Sequence, residues 1–268
     1  MTSAFCSFPD RSGERMYEYT EELIRRMRVF AAEHSDYRVD TVYFGGGTPT
    51  LLPSECFGAI MSALYECFEV TDGAEISVEC NPATIDREGL ASLRALGINR
   101  LSIGLQSANE NELKALGRLH SFEDFCRCYT DAREAGFDNI SVDLMYGIPE
   151  QTLESFENTL RRVAELSPEH ISAYGLKIED GTVFGKIRDT LTLPDEDEEA
   201  EMYLLCKSVL GEHGYSRYEI SNFSREGRES RHNLRYWRLD DYIGFGVAAH
   251  SLIDGERFGN SRDIDAFL

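Results

Sequence analysis

A short apolar run that ends in three glycines constrains this chain more than any other stretch. Val42-Tyr43-Phe44 predicts a buried strand, and Gly45-Gly46-Gly47 follows it directly. A glycine turn lets the backbone approach a ligand closely, because no Cβ stands in the way. In repeating βα chains, ligands lie at the carboxyl ends of the strands. The sequence therefore predicts a ligand site at this turn.

The same alternation of strand and helix patterns continues along the chain. Strands are predicted at 39–44, 75–79, 100–105, 139–145 and 170–177, and helices at 14–33, 53–68, 86–96, 107–116, 122–135 and 153–166, with an irregular segment at 1–13. Ser54 is the expected cap of the second helix. Strands that alternate with helices indicate βαβ units and a parallel sheet. An open barrel of the TIM kind fits best.

The pattern changes at Leu193-Pro194. A run of acidic residues at 195–199 follows, and acidic side chains in a first turn complement the helix dipole. A helix from this run to about His213 and a strand at 215–220 are expected. We therefore predict a barrel domain at 1–192 and an α+β extension at 193–268.

Composition excludes several classes of function. The 268 residues carry a net charge of −21, which argues against a nucleic-acid partner, since such binding relies on clustered Lys and Arg. No apolar run of about 18 residues predicts a membrane span, and no apolar core of a signal peptide stands near the start. The seven cysteines are odd in number and contain no C-x-x-C motif, as expected for reduced thiols of a cytoplasmic protein.

Glycines and polar residues follow the predicted strands where a ligand would lie. They are Gly46, Gly47, Thr48, Glu79, Gln106, Arg118 and Asp143. A zwitterionic amino acid joined to a ribose needs carboxylates for its ammonium and hydroxyls and a guanidinium for its carboxylate. The same residues also suit a tight βα turn, helix-capping acids and a surface ion pair, so chemistry alone leaves these alternatives open.

Five blocks in fixed order narrow this choice. They are YFGGGTPT at 43–50, ECNP at 79–82, GLQS at 104–107, GRLH at 117–120 and DLMYGIPEQT at 143–152. Together they resemble the radical S-adenosylmethionine (SAM) superfamily, within it the oxygen-independent coproporphyrinogen III oxidase group. The resemblance implies a partial (β/α)6-type barrel and an extension at 193–268 that is truncated relative to family members. It places Gly46, Gly47 and Thr48 along a SAM site and makes Glu79, Gln106, Arg118 and Asp143 contacts of SAM.

The iron–sulfur motif departs from the family pattern. Family members hold a 4Fe–4S cluster through C-x-x-x-C-x-x-C, and FCSF at 5–8 resembles the end of that motif. The resemblance makes Cys6 the third metal ligand and Phe5 a cofactor contact, whereas Ser3 stands at the second ligand and the first would precede Met1. The resemblance also leads us to expect that the family's first strand, which precedes the motif, is missing. Because one thiolate holds a cluster poorly, we expect this chain to be inactive in radical chemistry.

Later blocks resemble one branch of this group. YEISNF at 218–223, RHNLRYW at 231–237 and GFGVAAHS at 244–251 are similar to the heme chaperones called HemW, and Phe8 stands where the oxidases have a further cysteine. Heme needs an axial ligand and an apolar surface. The resemblance offers His232 and His250 as ligands, with Tyr236 and Trp237 as walls. Alternatively, His232 caps a loop, Trp237 is core and His250 is buried.

Three functions follow from the resemblance. The first is a heme chaperone that passes heme to acceptor proteins and, in its complete form, binds SAM and a 4Fe–4S cluster. The second is an enzyme, coproporphyrinogen III oxidase (dehydrogenase), which decarboxylates propionates to vinyl groups. The third is a fragment with no activity of its own. Phe8 and the block at 231–237 favour the chaperone.

Overall fold

The computed structural model describes residues 2–4, 13–34 and 36–268. The strands are β1 (Thr2–Ala4), β2 (Arg38–Gly45), β3 (Glu69–Cys80), β4 (Arg100–Gln106), β5 (Ile140–Tyr146), β6 (His170–Gly175), β7 (Ser216–Arg217), β8 (Asn222–Ser224), β9 (Gly244–Phe245), β10 (His250–Ile253) and β11 (Glu256–Gly259). The helices are α1 (Gly13–Glu33), α2 (Ser54–Cys67), α3 (Arg87–Ala95), α4 (Glu110–Ala115), α5 (Phe122–Glu134), α6 (Leu153–Glu165), α7 (Val183–Ile187), α8 (Glu196–Glu212), α9 (Arg231–Arg238) and α10 (Ile264–Phe267). Short 3-10 helices lie at Pro49–Leu51 and Arg188–Thr190.

The chain forms two compact units. The first comprises the described residues up to Ser102, together with Asp131–Asp138 and Ser230–Leu268. The second comprises Ile103–Thr130 and Asn139–Glu229. The domain boundary between 192 and 193 that the sequence suggests stays a prediction.

The first unit is built on parallel strands. β1 pairs with β2 on one side and β9 on the other, and β2 pairs in turn with β3. Val42 and Phe44 of β2 are buried, as is Phe57 of α2, whose ring meets that of Phe44 edge to face. In α1, Leu23 and Met27 are buried four residues apart, the spacing that gives a helix one apolar face.

The second unit has a sheet with two different faces. β5 and β6 run parallel, β8 runs antiparallel to β6, and β7 runs antiparallel to β8. Successive side chains of a strand point to opposite faces. One face is therefore apolar and buried, through residues such as Val142 and Ile171, and α8 packs on these strands. The other face is polar: in its register Ser141 lies beside His170, and Asp143 beside Ser172.

Two helices of the second unit begin with reciprocal capping boxes. Thr152 and Ser155 exchange side-chain and backbone hydrogen bonds at the start of α6, and Asp195 and Glu198 do the same at the start of α8. The acidic run thus starts a helix, as its sequence predicts.

The predicted alternation of strands and helices is confirmed, and several boundaries are corrected. Ser54 is not a cap: Pro53 occupies the N-cap position of α2 without a side-chain hydrogen bond. β3 begins at Glu69 rather than 75, and α4 begins after Asn109. β1 forms within the segment expected to be irregular and pairs in parallel with β2, so a strand does precede Cys6, contrary to the expectation that the first strand is missing. The strand expected at 215–220 is shortened to β7, which pairs antiparallel with β8, a strand that was not predicted. Along the described ranges, no helix is both long and apolar enough to cross a bilayer.

Candidate functional site

The glycine turn and Glu79 form one hydrogen-bonded unit. Glu79 lies near the end of β3, and its Oε2 accepts a hydrogen bond of 2.8 Å from the backbone N–H of Gly46. Its Oε1 accepts one of 2.9 Å from the Tyr43 hydroxyl. The carboxylate is thus fixed beside bare backbone, where it presents negative charge to an ammonium or hydroxyl donor.

The geometry of the turn explains why each of its first three positions is a glycine. A Cβ on Gly45 would lie 2.7 Å from Glu79 Oε1 and would collide with the Tyr43 ring. Gly46 and Gly47 have φ of 82° and 65°, the left-handed region that side chains disfavour. Thr48 follows as the N-cap of the 3-10 helix. The turn predicted from sequence is therefore formed by these residues, with the carboxylate of Glu79 against it.

In the second unit, Gln106 ends β4 in the left-handed region, with φ of 74°, and is buried. Its Oε1 accepts a hydrogen bond of 3.0 Å from the Tyr174 hydroxyl. Non-glycine residues with positive φ are uncommon and cluster at functional sites. Asp143 lies on the polar face of β5, 3.3 Å from the Ser141 hydroxyl. Arg118 follows α4, and its backbone N–H is fixed at 2.9 Å to the Leu113 carbonyl.

A buried carboxylate that sequence reasoning missed supports the turn after β4. Glu112 is 4% exposed and accepts hydrogen bonds from Ser107 (2.6 Å), Gln151 (2.9 Å) and Ser155 (2.6 Å). Ser107 adjoins Gln106, and Gln151 lies in the block at 143–152. Glu112 therefore holds two of the blocks to each other. Its only signal in the sequence is a position within the helix predicted at 107–116.

His232 is enclosed on all sides. It is 1% exposed, its Nδ1 lies 3.0 Å from the Thr41 hydroxyl and its Nε2 lies 2.9 Å from the Tyr236 hydroxyl. Its ring stacks on Tyr43, with centroids 5.1 Å apart. Burial lowers the pKa of His232 to about 2, so the imidazole is neutral. Both ring nitrogens have partners, so this geometry does not favour His232 as an axial heme ligand.

His250 has the opposite surroundings. It is exposed at the start of β10 and lines a pocket of about 390 Å³ with Tyr236, Tyr242 and Leu252. Tyr236 is thus a wall, as proposed, whereas Trp237 is 53% exposed and is neither core nor part of this lining. Of the two histidines that the sequence offers, His250 is the accessible one.

The predicted site residues fall into two groups. Gly46, Gly47, Thr48 and Glu79 lie together in the first unit, and Gln106, Arg118 and Asp143 belong to the second. Their convergence on one SAM molecule stays a prediction. Phe5 and Cys6 lie outside the described residues.

The described residues do not fit an iron–sulfur cluster. Within 2–4, 13–34 and 36–268, no group of three His, Cys, Asp or Glu side chains is placed to hold a metal. The six cysteines there are free thiols, and burial raises the pKa of several, that of Cys206 to about 12. A protonated buried thiol is a poor metal ligand. The glycine turn and Glu79, in contrast, offer backbone groups and a carboxylate that suit the amino-acid part of SAM.

Comparison with known proteins identifies the superfamily to which the chain belongs. Residues 3–163 match the radical SAM superfamily, so the chain belongs to that superfamily. The E. coli coproporphyrinogen III oxidase (HemN), described as a radical SAM enzyme, superposes with a TM-score of 0.83 at 26% identity, over 98% of this chain and 67% of that one. The expected fold class, a partial radical SAM barrel, is confirmed.

Within the superfamily, the chain belongs to the HemW heme chaperone family. It is 40% identical to the heme chaperone HemW of Bacillus subtilis, over 94% of this chain and 67% of that protein. It is 34% identical to HemW of Lactococcus lactis, over 98% of this chain and 70% of that protein. The chain therefore spans about two thirds of the length of these relatives.

Proposed function

We propose that this chain binds heme and passes it to acceptor proteins, and that its barrel binds SAM. The observation that carries the heme function is the 40% identity to a heme chaperone over 94% of the chain. The blocks at 218–223, 231–237 and 244–251, which resemble the chaperones, lie within this likeness. The free thiols of the described residues support a reducing compartment, the cytoplasm.

SAM binding is supported by the glycine turn. Glu79 places its carboxylate beside the backbone of Gly46 and Gly47, and this negative charge suits the ammonium of a methionyl group. Gln106, Arg118 and Asp143 complete the proposed contacts. When a reduced 4Fe–4S cluster is bound in family members, it supplies the electron that cleaves SAM. Since the described residues do not fit that cluster, no radical step is assigned to this chain.

Hemin titration tests the heme function. We expect the 268-residue chain to bind hemin with a shifted Soret absorbance band, and to give up the heme to an apo-hemoprotein added afterwards. A spectrum that remains that of free hemin at all protein concentrations would refute the proposal.

Calorimetric titration with SAM tests the second ligand separately. Glu79→Gln keeps the size and one acceptor of the side chain but removes its charge. We expect it to weaken SAM binding about tenfold, the equivalent of one charge-assisted hydrogen bond. Glu88→Gln, in the first turn of α3, is the matched control and should bind SAM unchanged. Equal affinities of the two variants would remove Glu79 from the site.

A second candidate is coproporphyrinogen III oxidase, which the superposition on HemN favours. It requires SAM cleavage and the loss of CO2 from propionate side chains. Incubation of the chain with coproporphyrinogen and SAM under reducing, anaerobic conditions separates the two candidates. We expect no vinyl product, and its formation would favour the oxidase.

A further inference from the structure

The pocket beside α9 has one aromatic and one β-hairpin wall. Tyr236 and Tyr242 form the aromatic wall, with their rings edge to face and centroids 4.7 Å apart. Leu239 lies next to them and is 76% exposed. The volume of about 390 Å³ lies within the range of small-molecule sites. The lining is largely apolar and opens to solvent, as a flat, partly exposed ligand requires.

The hairpin of β10 and β11 supplies the second wall. Its register pairs His250 with Gly259 and Leu252 with Arg257. Because side chains alternate between the faces of a strand, His250, Leu252 and Arg257 share one face. All three line the pocket. Tyr242 is tied to this wall by two backbone hydrogen bonds with Leu252, of 2.8 and 2.9 Å.

The imidazole of His250 lies over Gly259 and makes no hydrogen bond to the described residues. A Cβ at Gly259 would lie 2.8 Å from His250 Nδ1, so the ring occupies space that only glycine leaves open. Within the described part of the chain, no group hydrogen-bonds either ring nitrogen of His250. An imidazole with an open ring nitrogen can serve as a ligand for iron.

The guanidinium of Arg257 is not paired with any described acidic side chain. It is exposed and, among the residues the structure describes, has no ion pair, although the chain carries 48 acidic side chains. By contrast, Arg235 of α9 donates to Asp40 at 3.0 Å. A guanidinium offers a planar fork that suits a carboxylate. Arg257 thus adds an anion-binding group to the rim of an apolar pocket.

The segment that carries His250 is held in place. Asn260 Nδ2 donates to the carbonyls of Gly244 (3.1 Å) and Gly246 (2.8 Å), and the Ser251 hydroxyl accepts from the Gly244 N–H at 3.0 Å. These bonds fix the GFGVAAHS block. The ligand would therefore meet a preformed site.

We infer that heme binds in this pocket, with His250 on the iron, the tyrosines and Leu252 against the macrocycle, and Arg257 on a propionate carboxylate. The inference rests on the proposed heme function and deepens it by assigning the binding site. It also distinguishes His250 from His232, whose ring nitrogens are both occupied.

The test compares hemin with iron-free protoporphyrin IX, each titrated into the 268-residue chain and its variants. His250→Ala is expected to weaken hemin binding about tenfold or more and to change the Soret band, because the iron loses its ligand. The same variant should bind protoporphyrin IX within about twofold of the original chain. Arg257→Gln is expected to weaken both ligands about three- to tenfold, because both carry propionates.

Two matched controls accompany these variants. His213→Ala removes a partly exposed histidine in the second unit, and Arg262→Gln removes another exposed arginine in the first. Both should bind hemin as the original chain does. Near-UV circular dichroism checks that every variant is folded.

The outcomes separate the inference from the function on which it rests. If the original chain binds hemin and His250→Ala binds it equally well with the same Soret band, the site is wrong and the heme function stands. If Arg257→Gln matches Arg262→Gln, the propionate contact is wrong. If the original chain binds no hemin, both the function and the site fail.

Discussion

At the scale of single residues, Gly45 is required for space rather than for its backbone angles. A Cβ there would meet the Tyr43 ring and Glu79 Oε1. We expect Gly45→Ala to destabilise the fold by about 1–3 kcal/mol, the usual cost of overpacking, and to weaken SAM binding by displacing Glu79. Urea unfolding measures the first effect and calorimetry the second.

Gly211 in α8 provides the control for this substitution. A Cβ on Gly211 would meet no atom within 4 Å. Gly211→Ala should therefore stabilise the chain by up to about 1 kcal/mol, the difference in helix propensity. If both substitutions change the free energy of unfolding equally, the crowding at Gly45 is not significant.

The neutral imidazole of His232 predicts a dependence of stability on pH. Its pKa is about 2 in the folded chain, against about 6.5 when unfolded. Below pH 6.5 the unfolded state therefore binds a proton that the folded state does not, and stability falls as the pH falls. The contribution is about 1.4 kcal/mol per pH unit between roughly pH 6 and 3.

Denaturant titrations at pH 7, 6 and 5 measure this slope. His232→Gln keeps hydrogen-bonding groups but does not titrate, so its stability should fall less steeply than that of the original chain. His120 remains in both chains; burial lowers its pKa too, so its effect cancels in the comparison. Parallel pH profiles would contradict the burial of a neutral His232.

Sequence reasoning identified some of these residues and not their partners. Glycines at a strand end and an acid after the next strand are local signals, and they predicted the turn with Glu79. Tyr43 and Glu112 act through contacts 36 and 39 residues away along the chain. Such distant partners leave no periodic pattern, so they were found only in three dimensions.

At the scale of elements, α9 begins on a carboxylate from β3. Glu75 is 6% exposed and accepts the backbone N–H groups of Arg231 (3.1 Å) and His232 (3.0 Å). Negative charge at a helix N-terminus is favourable. We expect Glu75→Gln to lower the free energy of unfolding by about 1–3 kcal/mol, because it weakens two buried, charge-assisted bonds.

Glu69→Gln, on the same strand, is the matched control. Glu69 pairs with Arg38 at the surface, where both side chains are mostly exposed, and such pairs contribute less than about 1 kcal/mol. Urea denaturation compares the two variants. A loss at Glu75 no larger than that at Glu69 would mean that the cap does not stabilise α9.

Element types were predictable where periodicity is strong, and their ends were less so. The helices from α1 to α6 carry apolar stripes or capping residues that local rules detect. The first half of β3 is polar and exposed, so it lacks the alternation that marks a strand, yet it pairs with β2 at Arg38 and Val39. β7 was predicted too long and β8 was missed, because pairing of short strands is set by neighbours, not by their own sequence.

At the scale of the whole molecule, the five blocks in fixed order predicted the fold class that the superposition confirms. The division into two units could not be predicted in this way. The first unit unites segments from both ends of the chain, and no local sequence pattern indicates such a division. How the seven proposed SAM contacts act together is therefore best tested by ligand binding.

The cluster is the last property that belongs to the whole chain. Cys6 is the one cysteine at a motif position, and the described cysteines are dispersed free thiols. Because clusters are held by several thiolates, anaerobic reconstitution with iron and sulfide should leave far fewer than about four irons per chain. Iron analysis and electron paramagnetic resonance of the reduced sample measure this.

The variant Cys6→Ser tests directly whether the Cys6 thiolate retains iron. If Cys6 alone cannot retain a cluster, the variant and the original chain should keep the same small amount of iron after desalting. Heme binding should also be unchanged in Cys6→Ser, because the proposed heme pocket contains no cysteine. A stoichiometric cluster in the original chain that is lost in Cys6→Ser would show that this thiolate recruits ligands from elsewhere, and radical chemistry would have to be reconsidered.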